Sequence, residues 1–515
     1  MARFRTSDTH PIRVDWLVEA PGRIGLTLAP GKHAPSLTGA PWARDLAADL
    51  DRLTGELGVR VLVCLLEAEE MARLRIPTLL EEAAARGLET HWLPIADGGV
   101  PPSVEAARAL VARLVARSAE GAPVVVHCQG GIGRAGTLGG CALVELGMTT
   151  LEALATLKER RDPRSPETGE QADFIARFER SRGEGLAVGS ARRASGAPVR
   201  FDRQRAGVVG AVLGAAIGDA MGHPVEFLSR TAIHARFGPA GVRGFELYWE
   251  RDGVRFAPYT DDTQLAEIVL RALVAARARG EELEATMQRI ARGLARWQTA
   301  PQGGHRAPGN ACLAGARALA AGVPWREAGA PDAGGCGSVM RAWPFGLVWS
   351  DDLERAAGWA AEHSRLTHGA PIALAACAAM AVGTALALAG EAPGAVAEAM
   401  ITAARPHDPG TAELLARSRD EASAGVPPEA TLDRLRGWAA HEAVAAALYV
   451  FLRHPDDPAV AILEGANTPG DSDSIATLAG ALVGARMGVD ALPPGWVRDV
   501  ERTGALTALA LEASL

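Results

Sequence analysis

The chain has 515 residues, 48% apolar and 22% charged, with a net charge of −8. At roughly 100–200 residues per domain, that length predicts two or more domains. The apolar fraction excludes a disordered chain, and the acidic balance excludes an electrostatic binder of nucleic acid or anionic membrane. Lys32 and Lys158 are the only lysines, so the basic residues are nearly all arginine, which reads as codon bias rather than as a functional surface.

The six cysteines are Cys64, Cys128, Cys141, Cys312, Cys336 and Cys377. None stands at CxxC spacing, so neither a zinc knuckle nor a dithiol redox motif is expected. Free thiols in a chain this long point to a reducing cytoplasm. The opening MARFRTSDTHPIRVD lacks the apolar core of a signal peptide. The uncharged stretch 370–390 is long enough to span a bilayer, but its Ala/Gly content reads as a buried core helix.

Along the first 180 or so residues, strands alternate with helices. GVRVLVCLLE (58–67), ETHWLPI (89–95) and APVVVHC (122–128) read as strands, with helices over about 77–87 and 103–117. Continuous apolar runs separated by helices predict a parallel sheet covered on both faces. Gly147 followed by Thr149 and Thr150 marks a helix stop and a new N-cap. Residues 183–204 form a linker by composition. Beyond them strand signals nearly vanish, and Ala- and Leu-rich helical stretches run to the end. The expected division is an α/β domain over 1–182, the linker, and an all-α domain over 205–515.

The sharpest signal of the first half is VVVHCQGGIGRAGT (124–137). Cys128 followed at six positions by Arg134 means little on an arginine-rich background; the context carries the information. A buried strand feeds into the cysteine, Gly130, Gly131 and Gly133 free the backbone to turn its N–H groups inward, and a helix follows from about Thr137. Inward amides at a helix N-terminus make an anion cradle and favour a thiolate, and Arg134 is placed to clamp oxygens. The plain alternative for Cys128 is a small buried apolar side chain. Asp97, in HWLPIADGGVPPS, is the candidate acid; its plain alternative is a turn residue.

Together with HPIRVDW, GRIGLTLAPGK, VLVCLLEAEE and LPIADGGVP, this loop resembles the cysteine-dependent dual-specificity protein phosphatases, in the branch typified by the cyclin-dependent-kinase-associated phosphatase. The resemblance covers about residues 10–180. It implies Cys128 as nucleophile through a cysteinyl-phosphate, Asp97 as general acid and then base, and Arg134 as oxyanion clamp. Gln129, Gly130, Gly131, Ile132 and Gly133 would form the cradle, and no cofactor is needed. Gln171, in PETGEQADFI, resembles the glutamine that positions the hydrolytic water. The family usually carries Ser or Thr directly after the arginine. Here that position is Ala135, which puts turnover in question more than phosphate binding.

In the second half two acidic clusters stand at helix starts: Tyr259-Thr260-Asp261-Asp262-Thr263 and Gly470-Asp471-Ser472-Asp473-Ser474. Either alone reads as N-capping. Together, converging carboxylates and hydroxyls make an all-oxygen site for hard divalent cations. GAVLGAAIGDAMGHPVEF (210–227), YTDDTQLA (259–266), GCGSVMRAWPFGL (335–347), LTHG (366–369) and NTPGDSDSIATLAGALVGA (467–485) resemble the ADP-ribosylglycohydrolases, in order over about 205–510. The resemblance implies an all-α fold around two Mg²⁺ or Mn²⁺ ions. Thr260, Asp261 and Asp262 would serve one ion, Asp471 and Ser474 the other, with Asp473 bridging and Glu226 gating or assisting. Gly337, Ser338, Met340 and Arg341 would line the ribose and diphosphate pocket. The family often has Asn where Cys336 stands, and His368 is equally a structural or a substrate-facing residue.

The expected protein is a bifunctional cytoplasmic hydrolase. One domain dephosphorylates a phosphoprotein or small phosphoester, and the other cleaves the ADP-ribosyl C1″ glycosidic bond. The competing expectation makes the first domain a phosphate-binding module with little turnover that targets the second. The partners are phosphorylated and ADP-ribosylated substrates, with neither membrane nor nucleic acid indicated.

Overall fold

The computed structural model describes residues 4–20, 22–36, 39–182 and 201–514. The chain divides into two compact units, Met1–Arg200 with Arg251–Val254, and Phe201–Glu250 with Arg255–Leu515. Of the residues read as a linker, 183–200 lie outside the described residues, and Asp202 already caps the first helix of the second unit.

The first unit is α/β. Its sheet contains β1 (Asp15–Val18), β2 (Ile24–Thr27), β5 (Val61–Cys64), β6 (Glu89–Trp92) and β7 (Val124–His127), in the order β1-β2-β7-β5-β6. A separate two-residue pair, β3 (His33–Ala34) with β4 (Trp42–Ala43), lies outside it. Within the five-stranded sheet all pairings are parallel except β1 with β2. β5 and β7 are buried at every position, as β-branched runs between two helical layers should be. Around the sheet stand α1 (Leu46–Thr54), α2 (Ala68–Arg73), α3 (Leu79–Ala85), α4 (Val104–Ala119), α5 (Arg134–Glu145), α6 (Thr150–Arg160) and α7 (Gly169–Arg180). Thr149 caps α6 within a capping box, at the position the sequence marks. Strand β7 sits between β2 and β5, where the strand order reverses. The crevice outside its carboxyl end is where open α/β sheets bind ligands.

The second unit is nearly all helical. Four of its helices are needed below: α8 (Arg203–Gly222), α9 (Asp261–Arg279), α10 (Pro371–Ala389) and α11 (Ser472–Met487). Helices α8 and α11 run antiparallel in backbone contact. A Cβ on Gly214 would fall 2.3 Å from the Gly480 carbonyl oxygen, and one on Gly480 would fall 2.1 Å from that of Gly214. Real Cβ atoms do not approach that closely, so both positions must be glycine. Consequently the last turn of α8 meets the first turn of α11, where the Ser472 hydroxyl donates to the Gly222 carbonyl at 3.0 Å. Two helices, Arg203–Val225 and Pro371–Ala389, are long and apolar enough to cross a membrane by length and composition, but they are 89% and 83% buried and form the core. A short hairpin, whose tip Arg251–Val254 is grouped with the first unit, pairs Trp249–Arg251 with Val254–Phe256 through a turn at Asp252 and Gly253, both at positive φ.

Candidate functional sites

Strand β7 hands the chain to Cys128, and α5 begins at Arg134, earlier than the start at Thr137 read from the sequence. The glycine run reads as loop, but Gly133 is already the cap position. Gly131 adopts φ +72°, and a Cβ there would lie 2.2 Å from the Thr27 carbonyl oxygen, so only glycine fits. Its amide donates to the Cys128 sulfur at 3.2 Å. Each loop carbonyl is held from outside by a side chain. Lys32 Nζ donates to Gln129 at 2.9 Å, and Arg161 donates to Gly130 and to Gly131, both at 2.8 Å. The Ser165 hydroxyl takes Ile132 at 2.9 Å and the Thr137 hydroxyl takes Gly133 at 3.0 Å. In a trans peptide N–H and C=O point opposite ways, so anchoring the carbonyls outward turns the amides into the loop.

Arg134 is buried beside this cradle. Its guanidinium donates to both Glu70 carboxylate oxygens, at 2.5 and 3.0 Å, and to the Ile95 carbonyl at 2.8 Å. Burial opposes the charge on Glu70, but the hydrogen bond and charge of Arg134, with the Glu67 amide and Arg73, together outweigh it and hold the carboxyl below its ordinary range. Asp97, whose side chain is 74% exposed, sits 3.0 Å from Arg134 Nη2, at the open side of the cradle. Gln171 accepts the Glu167 and Thr168 amides at 3.1 and 3.2 Å and donates to the Gly99 carbonyl at 3.0 Å. It thereby ties the start of α7 to the loop that carries Asp97. Burial takes His127 down to about 4, so its ring is neutral at pH 7, and takes the Cys64 thiol up to about 12.

Reading the sequence alone misses Glu70, Arg161, Lys32 and Ser165. Glu67 and Glu70 form a capping box at the start of α2. Arg161 carries no local signal on an arginine-rich background.

In the second unit the two acidic clusters come together. Asp261 and Asp262 open α9 with Thr260 as cap, and Asp473 lies in the first turn of α11 with Asp471 as cap. The Ser474 hydroxyl donates to Asp262 Oδ2 at 2.8 Å, joining the clusters directly. Asp219, near the end of α8, organises the first of them. One of its oxygens accepts the amide and the hydroxyl of Thr260, both at 2.9 Å, and the other those of Thr263, at 3.0 and 2.6 Å. Asp219 was not singled out from the sequence, although a lone carboxylate in an Ala/Gly helix is itself a signal. Glu226 is half-buried, and ligand atoms of His223, Glu226 and Asp473 lie within 4.8 Å of one another.

Burial first, and then neighbouring carboxylates, raise Asp261, Asp262 and Asp473 well above the usual carboxylate range. No arginine or lysine forms an ion pair with these aspartates among the described residues. Converging buried carboxylates that lack a protein cation fit divalent metal ions. Thr260, Asp261, Asp262, Asp471, Asp473 and Ser474 are the residues whose oxygens could hold them.

The segment 337–341 lies deeper. Ser338, Met340 and Arg341 are fully enclosed. Ser338 Oγ sits 2.9 Å from the Ser364 hydroxyl. Arg341 donates to the Gly337 carbonyl at 2.5 Å and to the Thr367 hydroxyl at 2.6 Å, while its Nε is a buried atom without a partner. A Cβ on Gly337 would fall 2.4 Å from Cys312 Sγ. His368 pairs with the Thr367 hydroxyl at 2.7 Å, and burial lowers its pKa to about 3.

Comparison with known proteins places both halves. A family model described as ADP-ribosylglycohydrolase matches residues 197–515, and one described as Swiss Army Knife protein, DSP-PTPase phosphatase domain, matches residues 43–174. The chain belongs to the ADP-ribosylglycohydrolase family and carries a DSP-PTPase phosphatase domain in its N-terminal region. Both families are hydrolases, acting on ADP-ribosylated and on phosphorylated substrates, and the ADP-ribosylglycohydrolases are generally Mg- or Mn-dependent. The chain is similar to the ADP-ribosylarginine hydrolase Tri1 of Pseudomonas putida (strain GB-1), 29% identical over 59% of this chain and 76% of that protein. It is similar to cyclin-dependent kinase inhibitor 3 of Homo sapiens, 26% identical over 33% of this chain and 79% of that protein. A solved structure titled ADP-ribosylglycohydrolase-related protein complex is 27% identical, over 61% of this chain and 99% of that one, with a TM-score of 0.47.

Proposed function

We propose that the protein is a bifunctional hydrolase with two separate active sites. In the first unit, the Cys128 sulfur attacks phosphorus and the phosphorus–oxygen bond to the leaving group breaks. Arg134 and the inward amides hold the equatorial oxygens. Asp97 gives its proton to the leaving oxygen, then takes one from the water that cleaves the cysteinyl-phosphate. The observation that carries this reading is a sulfur accepting a loop amide beside a clamped arginine, with a carboxyl at the rim.

In the second unit, the reading rests on the Ser474–Asp262 hydrogen bond that merges the two carboxylate clusters. Bound divalent ions would supply Lewis acidity there. The chain's own residues do the rest. Asp219 fixes Thr260 and Thr263, Ser474 orients Asp262, and Glu226 stands at the rim to take a proton from the attacking water. Carboxylates near C1″ favour an oxocarbenium-like transition state. Arginine-linked ADP-ribose is the first acceptor to assay, because one relative is an ADP-ribosylarginine hydrolase.

A second reading keeps the first unit as a phosphate-binding module with little turnover, favoured by Ala135 next to Arg134. The deciding experiment assays phosphate release from p-nitrophenyl phosphate and ADP-ribose release from ADP-ribosylarginine on Cys128→Ser and Asp473→Ala. Each substitution is expected to abolish one activity and spare the other. Absence of phosphate turnover in the unsubstituted protein would establish the binding-module reading.

A further inference from the structure

Around the carboxylates of the second unit, not every donor is oxygen. Cys336 opens the 3-10 turn Cys336–Arg341, and its amide is held by the Trp438 carbonyl at 3.2 Å. Its sulfur lies 2.7 Å from Asp471 Oδ2 and 3.7 Å from Ser474 Oγ, the two side chains assigned to one ion. Next to the bridging Asp473, His223 offers an imidazole nitrogen within the same 4.8 Å group as Glu226. Its Nδ1 lies 3.5 Å from Glu226 Oε2. Oxygen donors alone suit Mg²⁺, whereas a thiolate and an imidazole shift preference toward ions of the Zn²⁺ and Co²⁺ class.

We propose that Cys336 is a ligand of the ion held by Asp471 and Ser474, and that its sulfur biases this position toward a thiophilic divalent ion over Mg²⁺. The inference rests on the metal-site reading given above. On binding, the S–H bond breaks, a sulfur–metal bond forms, and the proton leaves to solvent. The competing account makes Cys336 a hydrogen-bond donor to Asp471 and nothing more, a role that serine would fill.

The test uses the full chain, stripped with chelator and titrated with Co²⁺. The unsubstituted protein is expected to show a near-ultraviolet sulfur-to-cobalt charge-transfer band. Cys336→Ser should lose that band while keeping the visible d–d bands, and Cys128→Ser should keep both. Cys336→Ser should also weaken Cd²⁺ binding by about tenfold or more, with Mg²⁺ binding changed less than about twofold. Visible bands that vanish in Asp473→Ala, without any charge-transfer band in the unsubstituted protein, would overturn the sulfur ligand and leave the carboxylate site standing. A charge-transfer band that survives in Cys336→Ser would overturn it as well. Absence of any Co²⁺ signal would overturn the carboxylate site and the sulfur ligand together.

Discussion

Ala135 offers no hydroxyl beside Arg134, and Thr137 does not supply one, because its own hydroxyl donates to the Gly133 carbonyl. Breakdown of the cysteinyl-phosphate should therefore limit turnover. Rapid mixing with p-nitrophenyl phosphate is expected to give a burst of one equivalent followed by a slow phase. Ala135→Ser should speed that phase by about tenfold, a barrier change of about 1.4 kcal/mol, while Thr137→Ala leaves it unchanged. His127 makes a second prediction. Its folded pKa of about 4 lies below the ordinary 6.5. The unfolded chain therefore takes up the proton first. The contribution of His127 to stability is flat above 6.5 and falls between 6.5 and 4, by at most about 1.4 kcal/mol per pH unit. Urea midpoints at pH 7 and pH 5 should differ, and His127→Gln should shrink the difference. At this scale the sequence exposes groups whose neighbours are local: Cys128, Arg134, the paired aspartates. It hides groups whose meaning comes from distant partners. Glu70 reaches Arg134 across 64 residues, and Thr260 reaches Asp219 across 41.

Helices α8 and α11 position the metal donors because their glycines bring the two backbones into contact. In Gly480→Ala the new Cβ would sit 2.1 Å from the Gly214 carbonyl, so the helices must part. Overpacking of this kind costs about 1–3 kcal/mol, and it also separates Asp219 from the first turn of α11. The expected outcome is a lower melting temperature with weaker Mn²⁺ binding, checked by calorimetry and metal titration. Gly358→Ala, where a Cβ meets nothing within 4 Å, is the control. Elements with a strong local pattern were legible: the β-branched runs of β5 and β7, and the Ala/Leu stretches of the second unit. Weakly patterned ones were not. Strand β2, with the sequence IGLT, contains only two β-branched residues, separated by glycine and leucine. The Asp252-Gly253 pair is a hairpin signal that the surrounding helical pattern obscured.

For the whole molecule, the two proposed chemistries have different needs. Chelator should abolish ADP-ribose release and leave phosphate release intact, and Mn²⁺ should restore the former. Fragments 1–182 and 201–515, expressed separately, should each keep their own activity, as measured by the same two assays. Loss of phosphate release on chelation would contradict the cofactor-free first site.

The α8–α11 pairing also sets an order of events during synthesis. Gly222 and Ser472, which meet in the finished protein, are 250 residues apart in the chain. At about 5–20 residues per second, α8 leaves the ribosome roughly 12–50 s before its partner exists. For that interval an apolar, glycine-lined helix lacks the partner it packs against most closely. The second unit therefore matures late, and its early intermediates are natural clients for a chaperone that shields apolar surface.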